Sequence, residues 1–318
     1  MSNSRPNVLQ TFLANPHRAA LSALLIYLAF NLLLPLAPLP PQHLGPRFLG
    51  DLILLSTAVF MFLQIWLAQT VVNLQPRPVL AALLIVIFAA LGFAAYFYVP
   101  PHLHRTLLMG LSITLGCANL GILLAPIIRE PNVLLPVALV SMPIDYLGAM
   151  TSIGFTQNVV AHNPQLVQNL SVPVPSLGGG LHGGIHPIGY IGPGDALFMA
   201  FFFAVVLRLK MNTRGTFWLM FGLLTATMLI VLVQDYNIAA LIPMGLAILI
   251  ANYPYFKLKR EEVFATVYAG AMILVLVTGF YFYSHSHFYR SDSKENARGT
   301  IDAAPSPTHP APGRPAGN

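Results

Sequence analysis

PIGYIGPGDALFMAFFFAVVL, residues 187–207, decides the fold, because it is a membrane-length apolar run holding a single charge, Asp195. A spanning helix needs about 20 largely apolar residues, which this segment supplies. A charge at the centre of a span costs about 2.5–3.5 kcal/mol on insertion scales, so such residues usually face a protein interior or a pathway. Asp195 closes the run Gly192-Pro193-Gly194-Asp195. The preceding apolar segment, VLLPVALVSMPIDYLGAMTS at 133–152, also holds one charge, Asp145. Two aspartates inside consecutive membrane-length segments point to a specific chemistry.

The whole chain fits this reading. Its 318 residues are 56% hydrophobic and 8% charged, with a mean hydropathy of +0.70. A soluble domain carries about 25% charged residues, so composition argues for a polytopic membrane protein. The expected fold class is all-α, a transmembrane helical bundle of about nine spans. They are placed at about 19–39, 49–72, 79–99, 106–128, 133–152, 187–207, 215–234, 238–255 and 263–283. Most connections are short and marked by proline or arginine, as in Gln75-Pro76-Arg77-Pro78. The long one, 153–186, contains VPVPSLGGGLHGGIH and no Lys, Arg, Asp or Glu. Its glycines and prolines predict an irregular segment, with Leu170–Val174 able to pair briefly as an edge strand. Residues 291–318 are too polar and Pro-rich to pack, which predicts one membrane domain over 1–290 and a disordered tail.

The two acids are expected to meet. Asp145 lies eight residues before the long loop and Asp195 eight residues into the segment after it. At about 1.5 Å per residue, both are expected about 12 Å from the loop side, on antiparallel helices. Each follows a proline by two positions, Pro143 and Pro193. A proline inside a helix removes an N–H and exposes a carbonyl, here that of Leu139 or Gly189. Gly192 and Gly194 are expected to add flexibility and to let another backbone approach. Broken helix at membrane depth is tolerated where it is buried in protein or lines a watery cavity, so a hydrated pocket is expected here. Two carboxyls sharing a site cannot both ionise cheaply, so such a pair holds one proton. One member can then take a proton from water while the other protonates a carbonyl oxygen, as peptide hydrolysis requires. Spacing alone does not choose that reaction over proton-coupled transport.

Other polar residues have plainer readings. Asp51 follows Gly50 at the expected start of the second segment, where an acid complements the helix dipole. Asp235 is expected in a solvated turn. The pairs His102/His104, His182/His186 and His285/His287 lack a neighbouring carboxylate or cysteine set, so no metal site is expected. No His-Glu-x-x-His, Gly-x-Ser-x-Gly or phosphate-binding loop occurs. The single Cys117 forms no internal disulfide and is assigned to packing. Phe201-Phe202-Phe203 is read as lipid-facing or packing surface.

The residues around the acids resemble the presenilin and signal-peptide-peptidase family of intramembrane aspartyl proteases. Gly192-Pro193-Gly194-Asp195, followed by Ala196-Leu197-Phe198, looks like that family's Gly-x-Gly-Asp motif. Ser141-Met142-Pro143-Ile144-Asp145-Tyr146-Leu147 sits where the family has a Tyr-Asp pair, with Ile144 in the tyrosine's place. Ala239-Ala240-Leu241-Ile242-Pro243 resembles the Pro-Ala-Leu stretch that opens a later helix, with Ala239 replacing its first proline. The resemblance covers about 133–255. It implies Asp145 and Asp195 as a catalytic dyad and Gly192, Pro193 and Gly194 as the surrounding motif. It further implies that Ala240, Leu241 and Pro243 shape the site, and that membrane-spanning proteins or peptides are the substrates. No cofactor is implied. The alternatives are a proton-coupled transporter or channel using the same acids, and a non-catalytic scaffold of the same fold.

Charge sets the expected orientation. The net charge of +6 is read as a topology signal rather than a nucleic-acid surface. With nine spans and the N-terminus inside, ten basic residues fall inside: Arg5, Arg18, Arg77, Arg129, Arg208, Lys210, Arg214, Lys257, Lys259 and Arg260. Only Arg47 and Arg105 precede the C-terminal tail on the outside. The expectation is a multi-pass cell-membrane protein, N-terminus inside and C-terminus outside, with the 153–186 loop outside. Met1–Arg18 is polar and the apolar run after it is long enough to span, so no cleavable signal peptide is expected.

Overall fold

The computed structural model describes residues 15–37, 45–100, 103–150, 165, 169–177, 187–234, 239–264 and part of 266–282. Among them helix dominates. The helices are α1 (Pro16–Leu36), α2 (Gly45–Asn73), α3 (Pro78–Tyr98), α4 (Leu103–Leu124), α5 (Pro131–Met150), α6 (Pro193–Arg208), α7 (Thr213–Gln234) and α8 (Leu241–Asn252). Further helical residues run from 260 to 264 and recur among described positions up to 282. Four helices begin on a proline, Pro16, Pro78, Pro131 and Pro193. A first-turn N–H has no helical partner, so the missing donor costs nothing and the fixed φ favours the start. At α1 the Asn15 side chain adds a cap, accepting the His17 N–H at 3.1 Å.

Among the described residues six helices are long and apolar enough to cross a membrane, which makes this a multi-pass helical bundle in character. α6, with 16 residues, and the apolar stretch Leu241–Tyr255 are shorter. The segment 187–207 therefore differs from its expected form. Gly189–Ile191 is a strand, β2, and the helix begins only at Pro193. β2 pairs antiparallel with β1 (Val172–Val174), Val172 opposite Ile191 and Val174 opposite Gly189. The brief pairing expected near Val174 is present, and its partner is the start of the expected sixth span. The eighth expected span, 238–255, contains a 12-residue helix followed by the turn Tyr253–Tyr255. Asp51 lies within α2, past its first turn, and is exposed, so it does not serve the helix dipole as expected. Asp235, His102, the His182/His186 and His285/His287 pairs and the tail 291–318 lie outside the described residues.

α6 is the hub. It packs against α2, α4, α7 and α8, and Met199, Phe202, Phe203, Val205 and Val206 are buried. The three phenylalanines are thus interior packing and not lipid-facing. Close approach to α4 occurs at Gly121, where a Cβ would fall 2.6 Å from the Phe201 backbone nitrogen. Small residues at such crossings let membrane helices pack backbone to backbone. At the far end of α6, Arg208 donates to the carbonyls of Ala125 (3.1 Å) and Ile128 (3.0 Å). A cation there complements carbonyls of the turn that follows α4, one of which, Ala125, also accepts the Ile128 N–H at 3.2 Å. Asn252, fully buried, ties α8 to α7: its Nδ2 donates to Thr216 Oγ1 at 2.9 Å, and its Oδ1 accepts the Asn212 N–H at 2.9 Å.

Candidate active site

Local sequence sets each acid. α6 starts at Pro193 with Gly192 as its N-cap, which puts Asp195 at the third helical position. From there the carboxylate reaches back, and its Oδ2 accepts the Gly192 N–H at 3.2 Å. An acid in the first turn of a helix satisfies a free donor and complements the dipole. Asp145 projects from α5, two residues past the in-helix Pro143. Its Oδ2 accepts the Leu241 N–H at 2.8 Å. Leu241 is the first residue of α8, so this N–H has no partner in its own helix. Each carboxylate thus closes the N-terminus of a helix, Asp195 its own and Asp145 a neighbour's.

The two acids line one cavity of about 580 Å³, bounded by α5, α6 and the start of α8. Gly194 and Leu241 line it with them. Ile144 forms part of its wall and is 62% exposed, which leaves the cavity open on that side. The remaining expected site residues, Gly192, Pro193, Ala240 and Pro243, do not line it. Gly192 contributes its backbone N–H, and Ala240 is the N-cap of α8. Pro243, buried at the third position of α8, removes a donor from a turn where none is needed. Pro193 faces a different cavity, between α3 and α4.

Three expectations are corrected by this geometry. Pro193 initiates a helix and does not break one, and Gly189 lies in β2, so no interior carbonyl is freed there. Asp195 stands one turn from its helix start and not eight residues in. A Cβ on Gly194 would meet nothing within 4 Å, so this glycine admits no neighbouring backbone and instead leaves the cavity open. A Cβ on Gly192 would lie 3.3 Å from the Asp195 carboxylate itself.

Depth follows from α4 instead. Cys117 Sγ donates to the Pro193 carbonyl at 3.3 Å, so the only cysteine marks the level at which α6 begins. It lies twelve residues, about 18 Å, along α4 from Arg105 near the helix start. That distance is comparable with half a hydrocarbon core, about 15 Å.

Several cavity residues had no role assigned from sequence, although Ser141, Ile144 and Phe198 lie in the stretches quoted around the acids. Val137, Val140, Ser141, Ile144 and Gly148 form the α5 wall, and Phe198 comes from α6. Their signal is helical spacing: Gly148, Ser141 and Val137 lie three, four and eight residues from Asp145, and Phe198 lies three after Asp195. Among the described residues no three of His, Cys, Asp and Glu converge as a metal-binding group. No family model matches this chain, and no curated protein or solved structure matches it.

Proposed function

We propose that this chain is an intramembrane aspartyl endopeptidase, with Asp145 and Asp195 as its dyad and membrane-spanning proteins or peptides as substrates. One observation carries the reading: two aspartates, one on α5 and one in the first turn of α6, line a single open cavity. The cavity's size, about 580 Å³, falls within the ordinary range for binding sites. Its opening beside Ile144 gives a substrate helix access from the side.

The chemistry needs both acids in different protonation states. The ionised carboxylate takes a proton from water as the resulting hydroxide adds to the scissile carbonyl carbon. The protonated partner gives its proton to the carbonyl oxygen, producing a neutral tetrahedral diol. On collapse the C–N bond breaks and the leaving nitrogen takes the proton held by the first aspartate. A diol proton returns to the second, so the pair ends as it began. The pair titrates as a unit, and either member serves as the base. The Leu241 and Gly192 N–H groups each hold one oxygen, Oδ2, and leave Oδ1 of each acid for the reaction. Fixed donors of this kind orient reacting groups before the substrate arrives.

A reconstituted assay separates this reading from proton transport. Proteoliposomes holding the full chain and a transmembrane peptide should yield two fragments cut within the span, with proton flux at the protein-free level. Proton flux without cleavage would replace the dyad by a relay.

A further inference from the structure

A second, larger cavity of about 960 Å³ lies between α3 and α4, reaching Cys117 and Pro193 at its inner end. Its body is apolar and aromatic, with Phe88, Phe93, Phe97, Ile113 and Leu120 among its lining and no charged side chain. Among the described residues, α3 is an outlying helix whose one substantial helix contact is α4. Only Ala81 and Ala95 are buried on it, and most of its other apolar side chains are exposed, as lipid-facing side chains are. The outer end of the cavity is polar. Tyr96 and Asn169 line it there, and Arg105 holds both. The guanidinium lies 4.6 Å from the Tyr96 ring centroid, and its Nη2 donates to Asn169 Oδ1 at 3.3 Å.

We propose that this groove binds an anionic phospholipid, with the phosphate at Arg105 and an acyl chain running inward toward Cys117. Charge complementarity and length both support that occupant. Arg105 stands at the end of a span, where headgroups lie, and has five N–H donors, of which Asn169 takes one. The run from Arg105 to Cys117 is about 18 Å, close to the depth of about 15 Å that one leaflet's acyl chains fill. The inner end abuts Pro193, so a bound chain lies against the start of the helix that bears Asp195. The site stands whether or not the aspartates hydrolyse peptides.

The test uses the full chain with Trp66→Phe, Trp218→Phe and Phe93→Trp, which puts the only indole at an exposed position on the groove wall. In phosphatidylcholine vesicles, a small fraction of phosphatidylglycerol with brominated acyl chains should quench this indole more than the same fraction of brominated phosphatidylcholine. The expected difference is about fivefold in binding, the preference one basic side chain gives near anionic headgroups. Arg105→Gln should abolish the preference and Arg105→Lys should keep it. Equal quenching by both lipids would reduce the groove to ordinary lipid-facing surface, and no quenching by either would mean that protein fills it. A preference that survives Arg105→Gln, or that Arg105→Lys loses, would overturn the role of the charge.

Discussion

Asp145 carries two burdens that substitution can separate. It is an acceptor for the Leu241 N–H and, in the proposed mechanism, an acid or base. Asn at this position keeps an acceptor oxygen, whereas Ala leaves a partly buried donor without one. Asp145→Ala should therefore destabilise the protein by about 1–3 kcal/mol relative to Asp145→Asn, read from thermal unfolding in detergent, although both remove activity. Gly194 makes the converse separation. A methyl there meets no atom within 4 Å, and Ala is the better helix former, so Gly194→Ala should leave stability unchanged or raise it by up to about 1 kcal/mol. The same methyl points into the space beside Asp195. Cleavage should fall by about tenfold, measured as kcat/KM, because small displacements of a bound substrate are costly. At this scale the sequence was informative: an acid in an apolar run is expensive wherever it lies, and both acids were legible for that reason. The Leu241 N–H was not, since a backbone donor leaves no mark in the residue types.

Elements were harder to delimit. Apolar composition marks what is buried or lipid-facing but not where a helix starts, and the run 187–207 is apolar across a strand, a cap and a helix. Gly192-Pro193 was the boundary signal, a proline at a first helical position, and it also reads as a helix breaker when the helix is assumed to begin earlier. The same assumption gave an equal depth for both acids by counting from the wrong start. Pairing of α5 with α8 shows what residue types leave unsaid. Gly245 of α8 sits against the Met142 side chain, and a Cβ there would lie 3.3 Å from the Ala138 carbonyl. Gly245→Leu should force these helices apart and cost about 1–3 kcal/mol. Because the Asp145–Leu241 hydrogen bond spans the same pair, cleavage should fall more than the unfolded fraction explains, which activity per folded molecule would show. If activity simply tracks the folded fraction, the link from packing to the acid is absent.

At the scale of the molecule, the membrane character was legible from 8% charge and +0.70 mean hydropathy, and six helices among the described residues meet the length and polarity of a span. The count of nine required each apolar run to be one crossing. α6 and Leu241–Tyr255 fall short of that length, and the expected last span, 263–283, is only partly described. Orientation rests on charge. The basic residues between spans, among them Arg77, Arg129, Arg208, Lys210 and Arg214, collect on one expected side, so the N-terminus should be inside. Reporter fusions in the 153–186 loop and at Asn318 should both read the outside; a loop found inside would reverse the topology. Orientation bears on which substrates enter, while the dyad decides whether any are cut. The most direct test is cleavage of a transmembrane peptide by purified, reconstituted protein, comparing the unaltered chain with Asp145→Asn and Asp195→Asn, each confirmed folded by thermal unfolding. The dyad predicts a cut within the span for the unaltered chain and a loss of about a hundredfold or more for each variant. Near-normal cleavage by either well-folded variant, or none by the unaltered chain on a peptide with helix-breaking residues at its centre, would contradict it.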